Sequence, residues 1–369
     1  MGDPNAAEAY RKLLAEFEAI PMPQRDALMG MPPYLEPCDT TLLVRIRSIE
    51  DRLHRAARSK VSDFELDFSQ GPELLMPHLS PMRVMAQHMA AEARRQTLAG
   101  NGPAAARLLN TINRMALHLT QDRLLISSLV GMWMIQSSTE VVEFMIEQGQ
   151  LAPRDASMLL SGFKDLDDRD PMGLLDALDH ERQYFGDWIR AQLAEDMGEM
   201  KALQKLGLAV DNAEELDTVF DMDGYDRAMR DTLDAMGMDD LDAATTQLNS
   251  IEERLYAGDY GPLASMLSVS FHNMLVMRFE LEAELAWLRA GLQRIAAGEE
   301  AEDVEPNAAW TYIKLARAID AAAQVDTVDE AARTALLDEL MLAALMEHCE
   351  FPIDEFAPRP VVPVWTTGL

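Results

Sequence analysis

The 369 residues predict an all-α protein made of antiparallel helical hairpins, in a bundle or an irregular α-solenoid of tetratricopeptide (TPR-like) type, with an extended Pro-rich C-terminal tail. Three observations carry this. Apolar residues recur at the three- and four-residue spacing of a helix face. The 18 prolines and 19 glycines fall mostly between those periodic segments, where they punctuate rather than interrupt helices. Val/Ile alternation of the strand type is nearly absent. The pattern divides the chain into an N-terminal helical domain at 1–197 around a central hairpin region at 71–149, a C-terminal helical domain at 198–350 with a long helix at 262–297, and a tail at 351–369.

The first helix, over 6–20, places Tyr10, Leu13, Leu14, Phe17 and Ile20 on one side. Pro21 and Pro23 follow it, and Thr40-Thr41 caps a second helix, running through His54, whose face is Leu42, Ile46, Ile49 and Leu53. Residues 62–72 read as a loop with aromatic anchors. After Pro77 and Pro81, a helix puts Met82, Met85, Met89, Ala93 and Thr97 on one face. Gly100-Asn101-Gly102-Pro103 turns the chain, because Gly and Asn tolerate a left-handed helix end and Pro is preset for a first turn. Ala105, Leu108, Leu109, Ile112, Met115, Ala116 and Leu119 form the facing stripe. The run 124–135 is apolar almost all round, so it belongs at the core; a bilayer span needs ~20 apolar residues, more than this run has.

Beyond Gly149 and Pro153 come a short helix, the acidic loop 165–171, and a helix from Met172 carrying Leu174, Leu178, Phe185, Trp188, Ile189 and Leu193. Residues 198–240 read as short helices between turns. A helix at 251–257 ends at Gly258-Asp259-Tyr260-Gly261-Pro262, a second hairpin-type turn. In the long helix that follows, Met274, Met277, Leu281, Leu285, Leu288, Leu292 and Ile295 form a seam near period 3.5. That seam fits either a bundle helix or an interaction surface for self-association between chains. Helices from Pro306 and over 328–348 precede the tail, whose Phe356, Val362 and Trp365 are expected to pack along a groove.

A net charge of −31 opposes nucleic acid and anionic lipid as partners, since both are bound by neutralising phosphate with Lys and Arg. No leader or transmembrane run opens the chain as given, so direct membrane insertion is not expected. The location read from the chain as given is cytoplasmic, with envelope or periplasm as the alternative if an N-terminal signal has been removed. Cys38 and Cys349 leave a single bridge open in either sense.

Metal-protease, di-iron, CxxC, nucleophile-elbow and P-loop signatures are all missing, which leans against an enzyme. His180-Glu181 lacks the second histidine of a zincin. Asp221-Met222-Asp223-Gly224 is only a fragment of an EF-hand loop, and aspartate before glycine is a common turn former. The best polar constellation is His78, His88, Glu92, His118 and Asp122: two of its pairs are spaced i, i+4 and could ligate a divalent metal, or else serve as ordinary helix pairs. No cofactor is expected. The 25 methionines suit either a core or a plastic partner-binding face.

Asp67, Gly71-Pro72, Leu74-Leu75-Met76-Pro77-His78-Leu79 and Leu125-Ile126-Ser127-Ser128-Leu129-Val130, with Arg83 and Asp122, resemble the shared segment of an uncharacterised family of bacterial helical proteins. The resemblance covers about residues 5–190. Members often carry an N-terminal anchor or export signal, so it implies an envelope setting; the family has no assigned activity, so it implies no catalytic residue. The expected function is therefore a non-enzymatic helical scaffold that binds another protein. The alternatives are a metal-dependent hydrolase using His78, His88 and His118, or a small-molecule or peptide binder with a Met- and Trp-lined pocket between the helical halves.

Overall fold

The computed structural model describes residues 4–22, 24–25, 40–194, 220–267 and 271–300, with the backbone alone for 40–43 and 266–267. The chain divides into two compact units, Met1–Glu305 and Pro306–Leu369, and every described residue belongs to the first. The expected boundary at 197–198, the helices beyond Pro306, the tail and both cysteines lie outside the described residues. Within them the protein is all-α. The sole β contact among these residues is an isolated bridge between Asn5 and Val61, and no described helix is long and apolar enough to cross a membrane.

Eleven helices are described: α1 (Ala6–Glu18), α2 (Thr40–Ala56), α3 (Leu79–Leu98), α4 (Gly102–Leu119), α5 (Leu125–Glu147), α6 (Pro153–Phe163), α7 (Leu174–Leu193), α8 (Met222–Met236), α9 (Leu241–Ala257), α10 (Gly261–Leu267) and α11 (His272–Ala296). Short 3-10 turns at Phe68–Glu73 and Thr120–Asp122 precede α3 and α5. α3, α4 and α5 pack mutually and make the centre. The stripe Met82, Met85, Met89, Ala93 and Thr97 is fully enclosed, as are Leu109, Ile112, Met115 and Ala116 opposite it. α5 buries residues all round, including Met132, Met134, Ile135 and Val142. Gly131 lets α5 come close to α4: a Cβ there would strike the Met172 methyl and press on the Ala116 carbonyl.

α1 and α2 pack on one another, α1 also on α3 and α2 also on α4. α6 lies against α4, and α7 against α5. α8, α9 and α10 pack together, and α8 returns to α7. Leu174, Leu178, Ala235, Leu248, Ile251, Tyr260 and Leu275 share one apolar cluster, which ties α7 to α11 through α8–α10.

Several boundaries differ from the sequence expectation: α1 ends at Glu18 rather than at residue 20, α7 begins at Leu174 rather than Met172, and α8 is one 15-residue helix where short helices are expected. α3 begins at Leu79, ahead of Pro81, because the N–H that proline lacks would have no intrahelical acceptor in a first turn anyway. α9 begins at Leu241, where Asp240 accepts a hydrogen bond from the Ala243 N–H and caps it. The single helix expected over 262–297 is described as α10 and α11, on either side of 268–270.

Candidate functional site

The loop between α2 and α3 is bound to the start of α1 from both sides. Asn5 caps α1 by accepting from the Ala7 N–H. The same side chain accepts from the Asp63 N–H at 2.8 Å and donates to the Asp63 carbonyl at 2.8 Å. Ala6 N–H donates to the Val61 carbonyl at 2.8 Å. The chain then turns at Glu65, whose backbone is left-handed (φ 54°) and whose N–H donates to the Asp63 carboxylate at 2.7 Å. Asp67 caps the next turn by accepting from the Ser69 N–H, the Ser69 hydroxyl and the Gln70 amide. These bonds hold its carboxyl below the usual carboxylate range.

Gly71 is the fixed point of this loop. Its φ is +59°, and a Cβ would run into the Trp188 indole of α7, so both backbone and space require glycine. Pro72 follows, Leu74 turns inward, and its neighbour Leu75 is left 76% exposed. In an extended stretch, adjacent side chains point to opposite sides, so Leu74 and Leu75 cannot both be buried by one neighbour.

An open groove of about 440 Å³ results between this loop, α1 and the start of α3. α1 contributes Arg11, Leu14, Ala15 and Glu18. The loop contributes Phe64, Glu65, Leu66 and Asp67, and past the turn Leu74, Leu75, Pro77 and His78; Pro81 closes the end. Arg11 donates to the Phe64 carbonyl at 2.6 Å and pairs with Glu65 at 3.3 Å, so α1 holds the loop in place.

The five metal candidates are placed in separate sets. His78 Nε2 lies 2.8 Å from Asp122 Oδ2, and the Ser127 hydroxyl donates to the same oxygen at 2.8 Å. Phe64 stacks flat on the His78 ring, centroids 3.7 Å apart. His118 Nδ1 accepts from the Tyr10 hydroxyl at 2.7 Å while its Nε2 donates to the Ser59 carbonyl at 2.9 Å. That tautomer is neutral, and burial holds the ring below the ordinary histidine range while pushing the Tyr10 phenol up. His88 Nε2 meets Glu50 of α2 at 3.0 Å. Glu92 accepts from Gln96 at 2.6 Å and pairs with Arg95. Neither i, i+4 pair is bonded to itself: His88 turns to α2, Glu92 to Arg95 and Gln96 of its own helix, His118 to Tyr10 and Ser59, and Asp122 to His78 and Ser127. No group of three or more His, Cys, Asp or Glu able to hold a metal occurs among the described residues.

Of the seam on α11, Leu281, Leu285, Leu288, Leu292 and Ile295 are buried, and the helix packs on α5, α6 and α9. Met274 is partly buried against the cluster that holds Leu275; Met277 is half-buried. The buried part of this face is packed within the chain, against α5, α6 and α9. Asp221 is an ordinary N-cap, accepting from the Gly224 N–H at 2.8 Å.

A second open groove, of about 600 Å³, lies between the end of α6 and α11. It is lined by Leu160, Leu166, Gln293 and the charges of Lys164, Asp165 and Arg289, so it is polar rather than Met- and Trp-lined. Arg289 is spent on structure, donating to the Phe163 and Leu166 carbonyls at 2.8 and 2.7 Å.

Comparison with family models, with curated proteins and with solved structures finds no match to this chain. Sequence reasoning did not reach the groove on α1. The available signal was Leu74-Leu75 between two prolines, an apolar pair in a stretch too broken to be a helix.

Proposed function

We propose that this chain is a non-enzymatic helical scaffold, an irregular TPR-like array, and that it binds another protein through the groove between α1, residues 64–78 and the start of α3. The observation that carries this reading is Leu75, which stands 76% exposed at the lip of a groove of about 440 Å³. An exposed leucine alone is unremarkable. Here it adjoins Leu66, Leu74 and Pro77 on a loop pinned from both sides, with Pro81 of α3 beside them, which is the rigid, concave apolar setting that partner segments use. His78, which lines the groove, is bonded to Asp122, and His88 and His118 are bonded to Glu50, Tyr10 and Ser59, which supports a packing role over the hydrolase alternative. The resemblance noted above adds an envelope setting to this proposal.

The test is affinity capture of the tagged chain from its native cells, wild type against Leu75→Ser, quantified by mass spectrometry. Leu75 packs against little, so the variant should melt with the wild type. A partner recovered with the wild type and depleted about tenfold or more by Leu75→Ser, as expected for removing a central apolar anchor, fits the proposal. The same proteins in the same amounts from both would sink it.

A further inference from the structure

The groove separates its lining by polarity. Leu14, Leu66, Leu74, Leu75, Pro77 and Pro81 form apolar walls, while its charged side chains are Arg11, Glu18, Glu65 and Asp67. Three carboxylates thus face one guanidinium, and that guanidinium is turned into the loop, on the Phe64 carbonyl and Glu65. Glu18 is exposed on α1, and the Glu65 side chain stands 72% exposed across from it on a left-handed turn. Asp67 is kept ionised by the donors of Ser69 and Gln70. An apolar floor with a net acidic rim is the result.

We infer that the occupant of this groove is a segment of a partner protein in which apolar residues lie beside Lys or Arg, the apolar side chains seating against Leu74 and Leu75 and the cations meeting Glu18 and Glu65. This rests on the reading of the groove as a protein-binding site. A wholly apolar or an acidic segment would take water from these carboxylates and return no counter-charge, which costs affinity. The overall charge of −31 has the same sign and steers basic segments toward the chain. Specificity for the groove over the rest of the acidic surface comes from the apolar walls, because exposed ion pairs alone contribute little.

Three synthetic peptides with one shared apolar core, flanked by Lys and Arg, by Ser, or by Glu, test this by fluorescence anisotropy on the full chain. The basic peptide should bind about fivefold or more tightly than the serine peptide, two exposed ion pairs supplying the difference, and the acidic peptide more weakly still. Leu75→Ser should weaken all three. Glu18→Lys combined with Glu65→Lys should reverse the order in favour of the acidic peptide. Equal binding of all three, lost in Leu75→Ser, would overturn the basic segment while leaving the groove as a protein site. Binding of the basic peptide that neither Leu75→Ser nor the double charge variant alters would overturn it as adhesion to acidic surface. No binding by any peptide would overturn it as well, and the capture experiment then decides separately whether the groove takes a protein.

Discussion

The two ends of the described structure solve the same problem, closing helix ends and loops around an apolar core, with different chemistry. Around α1–α4, beside charged pairs such as Arg11 with Glu65 and Arg52 with Glu16, the buried joints include hydrogen bonds to imidazole rings: Tyr10 to His118, His118 to the Ser59 carbonyl, and His54 to Thr111 at 2.9 Å. Around α7, α8 and α11 the joints are charged side chains placed on backbone ends. Glu181 accepts from the Leu125 N–H at 2.7 Å and caps α5. Asp170 accepts from Leu174 and Leu175 at the start of α7. Arg278 donates to the Met236 and Met238 carbonyls at the end of α8. Both kinds of joint border an open groove: His78, stacked on Phe64, lines the one beside α1, and Arg289, bonded to the Phe163 and Leu166 carbonyls, lines the one between α6 and α11.

The largest effect should come from Gly71→Ala. The positive φ and the Trp188 ring both exclude a methyl, so stability should fall by roughly 3 kcal/mol, read as a shift in urea midpoint; a loss under about 0.5 kcal/mol would mean the loop is free to move away from α7. Next is Asp122→Ala, which leaves the His78 N–H and the Ser127 hydroxyl without their buried acceptor and should cost roughly 2 kcal/mol. Metal content should be unchanged in this variant, and a stoichiometric metal lost with Asp122 would contradict the reading of His78 as a structural pin.

Third comes pH. Burial raises the Glu181 carboxyl to about 7, above its ordinary 4.5. Between those values the folded state holds the proton and the unfolded state does not, so this contribution is present at low pH and declines as pH rises toward 7. Glu181→Gln, which keeps an acceptor for Leu125, should therefore gain about 1–2 kcal/mol at alkaline pH relative to wild type and nothing near pH 4. His118 runs the other way. Its folded pKa is depressed below 6.5, so the unfolded state binds the proton first and stability falls as pH drops through that value. Burial depresses His54 likewise and raises Asp170 in company with Glu181. Amide exchange, corrected for its intrinsic rate, should show protection of α4 rising and of α7 falling from about pH 5 to pH 8. Parallel slopes in both would break the comparison.

Helix faces were legible because burial imposes a period: Tyr10, Leu13, Leu14 and Phe17, or Met82, Met85 and Met89, point inward as their spacing requires. The first half of α9 was less so, since its stripe starts with Ala244 among Thr and Gln before Leu248 and Ile251 give it weight. What local spacing could not convey was the partner. His88 and Glu92 look like a ligand pair until Glu50 takes one and Arg95 the other. The groove is still further from view, because it exists only where Arg11 reaches Phe64 and Glu65 across more than fifty residues.

Smallest in stability and largest in function should be Leu75→Ser, within about 0.5 kcal/mol of wild type. The most direct measurement uses the same position. A photo-cross-linking residue is placed at Leu75, and separately at Tyr256, which is 91% exposed on α9, and the adducts formed in the native cells are identified. A discrete protein adduct is expected at 75 and not at 256. No adduct at 75, or the same set at both positions, would contradict the groove as a protein site.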